Sequence, residues 1–256
     1  MEIIRVRMVN GNEECENSPI EILKELKKIN SKLNGNIIEF DKLNLEEIHI
    51  NLDNLDEANT LINKNSETIF YKNDKSFFIG GDHSISFSIL KSFKKIYNNP
   101  LLIVFDSSVD VLEEERFPNN KNWLRKLINE DFKNIVLIGA RNLNKEEIEF
   151  LKENKITWIK IDLLREIEEV CDLIMERARL SQGFYISIDL SVLEPCFAPG
   201  ARAVPGGLSS NELIYFIQRL SLLNNFKGGD IVEINPNKDI NNITLKLGAR
   251  LIAEML

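Results

Sequence analysis

The sequence predicts an α/β protein: three layers, α/β/α, around a mostly parallel sheet of about eight strands. Two observations lead there. Short apolar runs such as Pro100 to Phe105, Ile135 to Gly139 and Phe184 to Ile188 show little alternation, as strands covered on both faces require. Segments of helical period stand between them, and this alternation implies right-handed crossovers with helices on both faces of the sheet. A closed barrel has a similar element count, but long loops after only some strands favour an open sheet. No repeat, low-complexity tract or linker divides the 256 residues, so residues 1–256 read as one domain.

In chain order, Ile3 to Met8 reads as a first strand. Ser18-Pro19 then looks like a cap followed by proline in the first helical turn, opening a helix to about Leu33 that Gly35 ends. Ile37 to Phe40 reads as a second strand, residues 41–55 as a polar connection containing a surface histidine, His49, and Leu55 to Tyr71 as a helix. Ser76 to Ile79 is a strand, followed by Gly80-Gly81-Asp82-His83-Ser84 and a helix to about Tyr97. Strands are then expected at Pro100 to Phe105, Ile135 to Gly139, Thr157 to Ile161, Phe184 to Asp189 and Asp230 to Ile234. Helices are expected up to Asn129 and over Asn144 to Glu153, Leu164 to Leu180, Ser209 to Leu222 and Asn242 to Leu256.

Composition excludes several classes. Hydrophobic residues are 43% and charged residues 28%, an ordinary globular balance. A formal net charge of -8 without a basic patch argues against nucleic-acid binding. No apolar run approaches the ~20 residues of a membrane span, and the start lacks a signal-peptide pattern, so the chain is expected in the cytoplasm, without a membrane partner. Cys15, Cys171 and Cys196 have no metal-binding spacing and read as reduced thiols.

The chemistry gathers at strand ends. His83, Asp106, Asp110, Asp189 and Glu233 all fall at or just beyond the carboxyl ends of expected strands, where open α/β sheets bind ligands. One imidazole with several carboxylates suits Mn²⁺, Fe²⁺ or Zn²⁺. A helix amino end beside His83 favours its neutral form, the form that ligates metal. Taken singly, each residue has a structural reading: Asp106 and Asp110 as turn caps, Glu233 as a buried partner for an arginine.

Six segments in order make the chain resemble the ureohydrolase family of arginases, agmatinases and formiminoglutamases. Gly80-Gly81-Asp82-His83-Ser84 is similar to the family's GGDHS, Asp106-Ser107-Ser108-Val109-Asp110 stands in place of DAHxD, and Ser187 to Pro195 stands in place of SxDxDxxDP. Ala198-Pro199-Gly200, Pro205-Gly206-Gly207-Leu208 and Glu233-Ile234-Asn235-Pro236 match later segments. The resemblance implies a two-manganese centre, one ion held by His83, Asp106, Asp110 and Asp189. The second ion would share Asp106 and Asp189, but its two private ligands are replaced by Ser108 and Ser191. A hydroxyl does not substitute for an imidazole or a carboxylate. Glu194 stands for the motif's third Asp, and Phe117 to Lys121 lacks the histidine that family members carry in that loop.

The expectation is therefore one divalent cation, manganese before iron or zinc, at His83, Asp106, Asp110 and Asp189; an empty crevice of partly protonated carboxylates is the alternative. Two functional readings follow. One is a single-metal hydrolase of a C–N bond in a small guanidino or formimino compound. In it Glu233 grips the substrate, Asp110 or Glu194 accepts a proton, and Asn120 and Glu194 contact the substrate. The other is a catalytically silent relative acting as a structural or regulatory subunit. The resemblance also implies a homo-oligomer, a trimer or hexamer.

Overall fold

The computed structural model describes residues 2–113, 115–160 and 166–256. Its strands are β1 (Glu2–Val6), β2 (Asn44–Glu47), β3 (Ser76–Gly80), β4 (Leu101–Phe105), β5 (Ile135–Ile138), β6 (Thr157–Ile159), β7 (Phe184–Asp189) and β8 (Phe226–Val232). Its helices are α1 (Ser18–Leu26), α2 (Leu55–Lys72), α3 (Ile85–Ile96), α4 (Trp123–Asn129), α5 (Lys145–Glu153), α6 (Ile167–Arg179), α7 (Ser210–Ser221) and α8 (Ile243–Met255). The eight strands form one open sheet, every pair parallel, in the order β2-β1-β3-β8-β7-β4-β5-β6. The open edges exclude the barrel.

Period-2 alternation divides each central strand between two cores. Leu101, Ile103 and Phe105 of β4 face a cluster built with α1, α6, α7 and α8. Leu102 and Val104 face the opposite cluster, built with α2, α3, α4 and α5. Because both faces are covered, β4 carries no polar side and reads as a continuous apolar run. Leu251 and Ile252 of α8 are fully buried in the chain's own core. No helix among the described residues is long and apolar enough to cross a membrane.

Several element boundaries differ from the sequence reading. Ile37 to Phe40 is not a strand. Ile37 is 82% exposed and only bridges Ser31, while the second strand is the polar stretch Asn44–Glu47 at the sheet's edge. One of its sides has no neighbouring strand and its residues are mostly exposed, so no apolar pattern marks it. Helix α1 ends at Leu26 rather than Leu33, and β8 begins at Phe226 rather than Asp230. Gly228 and Gly229 hid the start of β8, yet a Cβ on Gly228 would lie 2.2 Å from Ser76 O, so the close strand approach requires glycine there. The expected strand end at Ile161 and helix start at Leu164 lie outside the described residues.

Strand order positions the site. The chain lays down β1 to β3 on one side and β4 to β6 on the other, and β7 and β8 then fill the gap between β3 and β4. The carboxyl ends of β3, β8, β7 and β4 thus stand side by side at the point where connections diverge, the place where such sheets open a crevice.

Candidate metal centre and substrate pocket

Each of those four strand ends delivers an acid or an imidazole. His83 follows β3 through the tight Gly80-Gly81 turn; a Cβ on Gly81 would sit 2.2 Å from Met8 O, so a larger residue would push this turn away from the β1 loop. Asp106 follows β4, Asp189 ends β7 and Glu233 follows β8. Asp110 and Glu233 both adopt left-handed backbone conformations, φ 46° and 62°, which are uncommon outside glycine and concentrate at functional sites.

His83 is fully buried, and its two ring nitrogens have distinct environments. Nε2 lies 2.9 Å from Ser187 Oγ, which donates its own proton to Asp230 Oδ1 at 2.7 Å. Ser187 therefore accepts, and Nε2 of His83 carries the hydrogen. Asp230 is further held by Ser86 Oγ at 2.9 Å and Tyr185 OH at 3.0 Å. The other nitrogen, Nδ1, is buried and makes no hydrogen bond. It points at Asp106 Oδ2 at 3.1 Å, Asp110 Oδ2 at 3.2 Å and Asp189 Oδ2 at 4.0 Å. A nitrogen lone pair facing carboxylate oxygens needs a cation or a proton between them, and the donor set suits a divalent first-row metal. One atom each from His83, Asp106 and Asp110 lie within 4.8 Å of one another, and Asp189 stands just outside this group.

The supporting contacts are specific. Trp123 Nε1 donates to Asp110 Oδ2 at 2.7 Å, and its ring lies against His83 with centroids 4.3 Å apart. Ser191 N donates to Asp189 Oδ1 at 2.6 Å. Asp82 accepts from Asn10 N, Asn12 N, Ser84 N and Ser84 Oγ, tying the loop after β1 to the β3 turn. That contact sets Asn12 Nδ2 2.6 Å from Glu233 Oε2, while Glu233 Oε1 accepts from His83 N at 3.0 Å. Arg141 lies under the loops, donating to the carbonyls of Gly139, Ser191, Val192, Leu193 and Val204.

Both serines bond to the strand-end acids. Ser191 Oγ donates to Asp106 Oδ1 at 3.2 Å and receives Ser107 Oγ at 2.8 Å. Ser108 N and Oγ approach the same Asp106 oxygen at 2.8 and 3.4 Å, and Ser108 Oγ donates to Asp110 Oδ1 at 2.5 Å. Asp106 thus presents one oxygen to His83 and has the other covered by neutral donors. Among the described residues, the imidazole and carboxylates that could share a divalent ion are those of His83, Asp106 and Asp110, a donor set that fits such an ion.

Charge in the crevice follows from this crowding. Burial and the Asp106 charge push the Asp110 carboxyl up, and burial, Asp106 and Glu233 push Asp189 well above the carboxylate range. Burial and Glu233 raise Asp82 to about 7. Burial opposes a charge on His83, but Asp106 and Asp110 outweigh it and hold the imidazole well above its ordinary value when no cation is present.

Above this cluster opens a cavity of about 270 Å³. The buried Asp110, Asn120, Asp189, Ser191 and Glu233 line it, together with the exposed Ser108, Lys121 and Arg202 and with Glu147. Glu194 does not line it; its Oε2 accepts from Gly206 N at 2.6 Å and Gly207 N at 2.8 Å and so fixes the glycine-proline loop. Sequence reasoning missed Trp123, Asn12, Ser187, Asp230 and Arg141. Only Ser187 carried a signal, as the first residue of its motif.

A family model described as "Arginase family" matches residues 6–256. The chain belongs to the arginase family. It is 31% identical over 243 residues to an arginase of Staphylococcus aureus strain COL, covering 84% of this chain and 80% of that protein. It is 31% identical over 203 residues to an agmatinase of Bacillus subtilis strain 168, covering 77% and 68%. The crystal structure of formimidoylglutamase from Bacillus subtilis superposes with a TM-score of 0.89 at 22% identity, covering 99% of this chain and 85% of that one. The three-layer fold is thus an arginase-family fold.

Proposed function

We propose that this arginase-family protein holds a single divalent cation, manganese in the first instance, at His83, Asp106 and Asp110, and hydrolyses a C–N bond of a small amidine. The observation that carries the reading is the orphaned Nδ1 of His83, buried and aimed at carboxylate oxygens. A divalent ion held by His83, Asp106 and Asp110 would supply acidification of the attacking water. The remaining work falls to the chain. Glu233, fixed by His83 N and Asn12, presents a carboxylate inside the pocket to receive an amidinium N–H. Asp189 Oδ2 has no hydrogen-bond partner among the described residues and lines the pocket, where it can exchange a proton with the substrate. In the overall reaction water oxygen bonds to the amidine carbon, the C–N bond breaks, and the departing amine leaves with a proton that Asp189 is placed to return.

One observation favours the silent-subunit reading: the Asp106 oxygen that would bridge two ions is covered by Ser108 and Ser191. The test is amine release from a panel of small guanidino and formimino compounds by manganese-loaded protein, with Glu233→Gln as control. Turnover lost in that variant supports the hydrolase. A protein that binds the ion but turns over no amidine supports the silent subunit.

A further inference from the structure

Three carboxylates share one arrangement: Oδ1 is occupied by a neutral donor, and Oδ2 is the oxygen turned toward His83 Nδ1. On Asp110, Oδ1 accepts from Ser108 Oγ at 2.5 Å. On Asp106, Oδ1 accepts from Ser108 N at 2.8 Å and from Ser191 Oγ at 3.2 Å. On Asp189, Oδ1 accepts from Ser191 N at 2.6 Å. The Oδ2 atoms of Asp106, Asp110 and Asp189 lie 3.1, 3.2 and 4.0 Å from Nδ1. Two serines therefore bridge three acids, Ser108 between Asp106 and Asp110 and Ser191 between Asp106 and Asp189. Each hydroxyl has one proton to give. Ser108 gives its proton to Asp110, since its other acceptor, Asp106 Oδ1, is at 3.4 Å. Ser191 gives its proton to Asp106, the stronger acceptor, and itself receives Ser107 Oγ at 2.8 Å. Trp123 Nε1, 2.7 Å from Asp110 Oδ2, steadies that carboxylate from its other end.

We propose that Ser108 and Ser191 are positioning residues of the metal centre, which restrict Asp106, Asp110 and Asp189 to one oxygen each and so select a first-row divalent ion against calcium. The inference rests on the single-ion reading above and gives the two serines a role in it. A carboxylate oxygen held in a short hydrogen bond is not free to swing onto an ion, and a carboxylate held at both ends cannot rotate into a two-oxygen grip. What remains is one imidazole nitrogen and single carboxylate oxygens, a compact mixed set that suits manganese, iron or zinc. Calcium takes about six to eight oxygens and accepts both oxygens of one carboxylate, so this set offers it too few.

The experiment measures Mn²⁺ and Ca²⁺ binding separately, by calorimetry on the metal-free full chain at neutral pH, and reads the ratio of the two dissociation constants. Wild type should favour Mn²⁺. Ser108→Ala removes the hydroxyl from Asp110 Oδ1 but keeps the amide of residue 108 on Asp106, so it frees a single oxygen. The preference for Mn²⁺ should then fall by about tenfold, and Ser191→Ala should lower it likewise. Ser108 is exposed, so its alanine variant should fold as wild type does. Ser108→Thr keeps a hydroxyl at the same place and should retain the wild-type ratio. Alanine variants whose ratio stays within about twofold of wild type overturn the inference while leaving the single-ion reading intact. A fall that Ser108→Thr shares traces to packing rather than to the hydroxyl and overturns it as well, as does a wild type that binds Ca²⁺ as tightly as Mn²⁺. A wild type that binds neither ion overturns both.

Discussion

Replacing Ser187 with alanine probes the tautomer of His83 without touching any atom that would meet a metal. Ser187 Oγ is the only partner of His83 Nε2 among the described residues and is itself anchored on Asp230. Deleting it leaves the Nε2 hydrogen of a fully buried imidazole unsatisfied, at a cost of about 1–3 kcal/mol. Asp230 keeps Ser86 and Tyr185, so the damage should stay local. At about 2–4 °C per kcal/mol for a chain of this size, the melting temperature of the metal-free protein should fall by roughly 5 °C. The larger effect should appear in metal binding. With the Nε2 contact gone, nothing fixes the ring with Nδ1 toward Asp106 and Asp110, and losses of such supporting contacts weaken metal sites by about 10–100-fold. A thermal melt of the metal-free proteins and a calorimetric Mn²⁺ titration, each on wild type and Ser187→Ala, read the two quantities. Manganese affinity within twofold of wild type, with an unchanged melting temperature, would refute the assignment of Nδ1 as the ligand atom.

Other outcomes follow from the same geometry. His83, Asp110 and Asp189 all have folded-state pKa values above their unfolded ones, so the metal-free native state binds more protons than the unfolded state. The contribution of His83 is complete below about pH 6.5 and is lost as pH rises through its raised value, while the two carboxyls begin to cost stability above about pH 4. The metal-free protein should therefore lose stability on going from pH 6 to 9 in urea melts, and manganese should offset that loss, binding more tightly as pH rises. Arg141→Met removes a guanidinium that serves five carbonyls and should destabilise the chain by about 3 kcal/mol in urea unfolding. Ser108→His with Ser191→Asp restores an imidazole and a carboxylate beside Asp106, and elemental analysis of the double variant should show a second manganese per chain.

The fold was legible where strands covered on both sides are also apolar throughout: β3, β4, β5 and β7 stand where the sequence puts them, whereas the glycines of the equally covered β8 hid its start. It was illegible at the edge. Asn44–Glu47 has no apolar face to advertise it, while Ile37, Ile38 and Phe40 are apolar residues of a loop, Ile38 and Phe40 leaning on the core from outside. At the site, the strand-end acids and His83 could be read because topology alone brings strand ends together. Their supports could not. Ser187 lies 104 residues from His83, and Asn12 lies 221 from Glu233; only the folded chain makes them neighbours. Glu194 has a local anchor the motif did not announce: the glycine-proline loop folds back and supplies two backbone amides to its Oε2.

The central claim is a one-ion centre, and metal stoichiometry tests it most directly. The full chain, dialysed against Mn²⁺ at neutral pH and freed of excess metal, should retain one ion per chain by elemental analysis. In a crystal of that protein, anomalous density should form a single peak between His83 Nδ1 and the carboxylates of Asp106 and Asp110. Two ions per chain, or a second peak beside Ser108 and Ser191, would contradict the account, as would a protein that retains none.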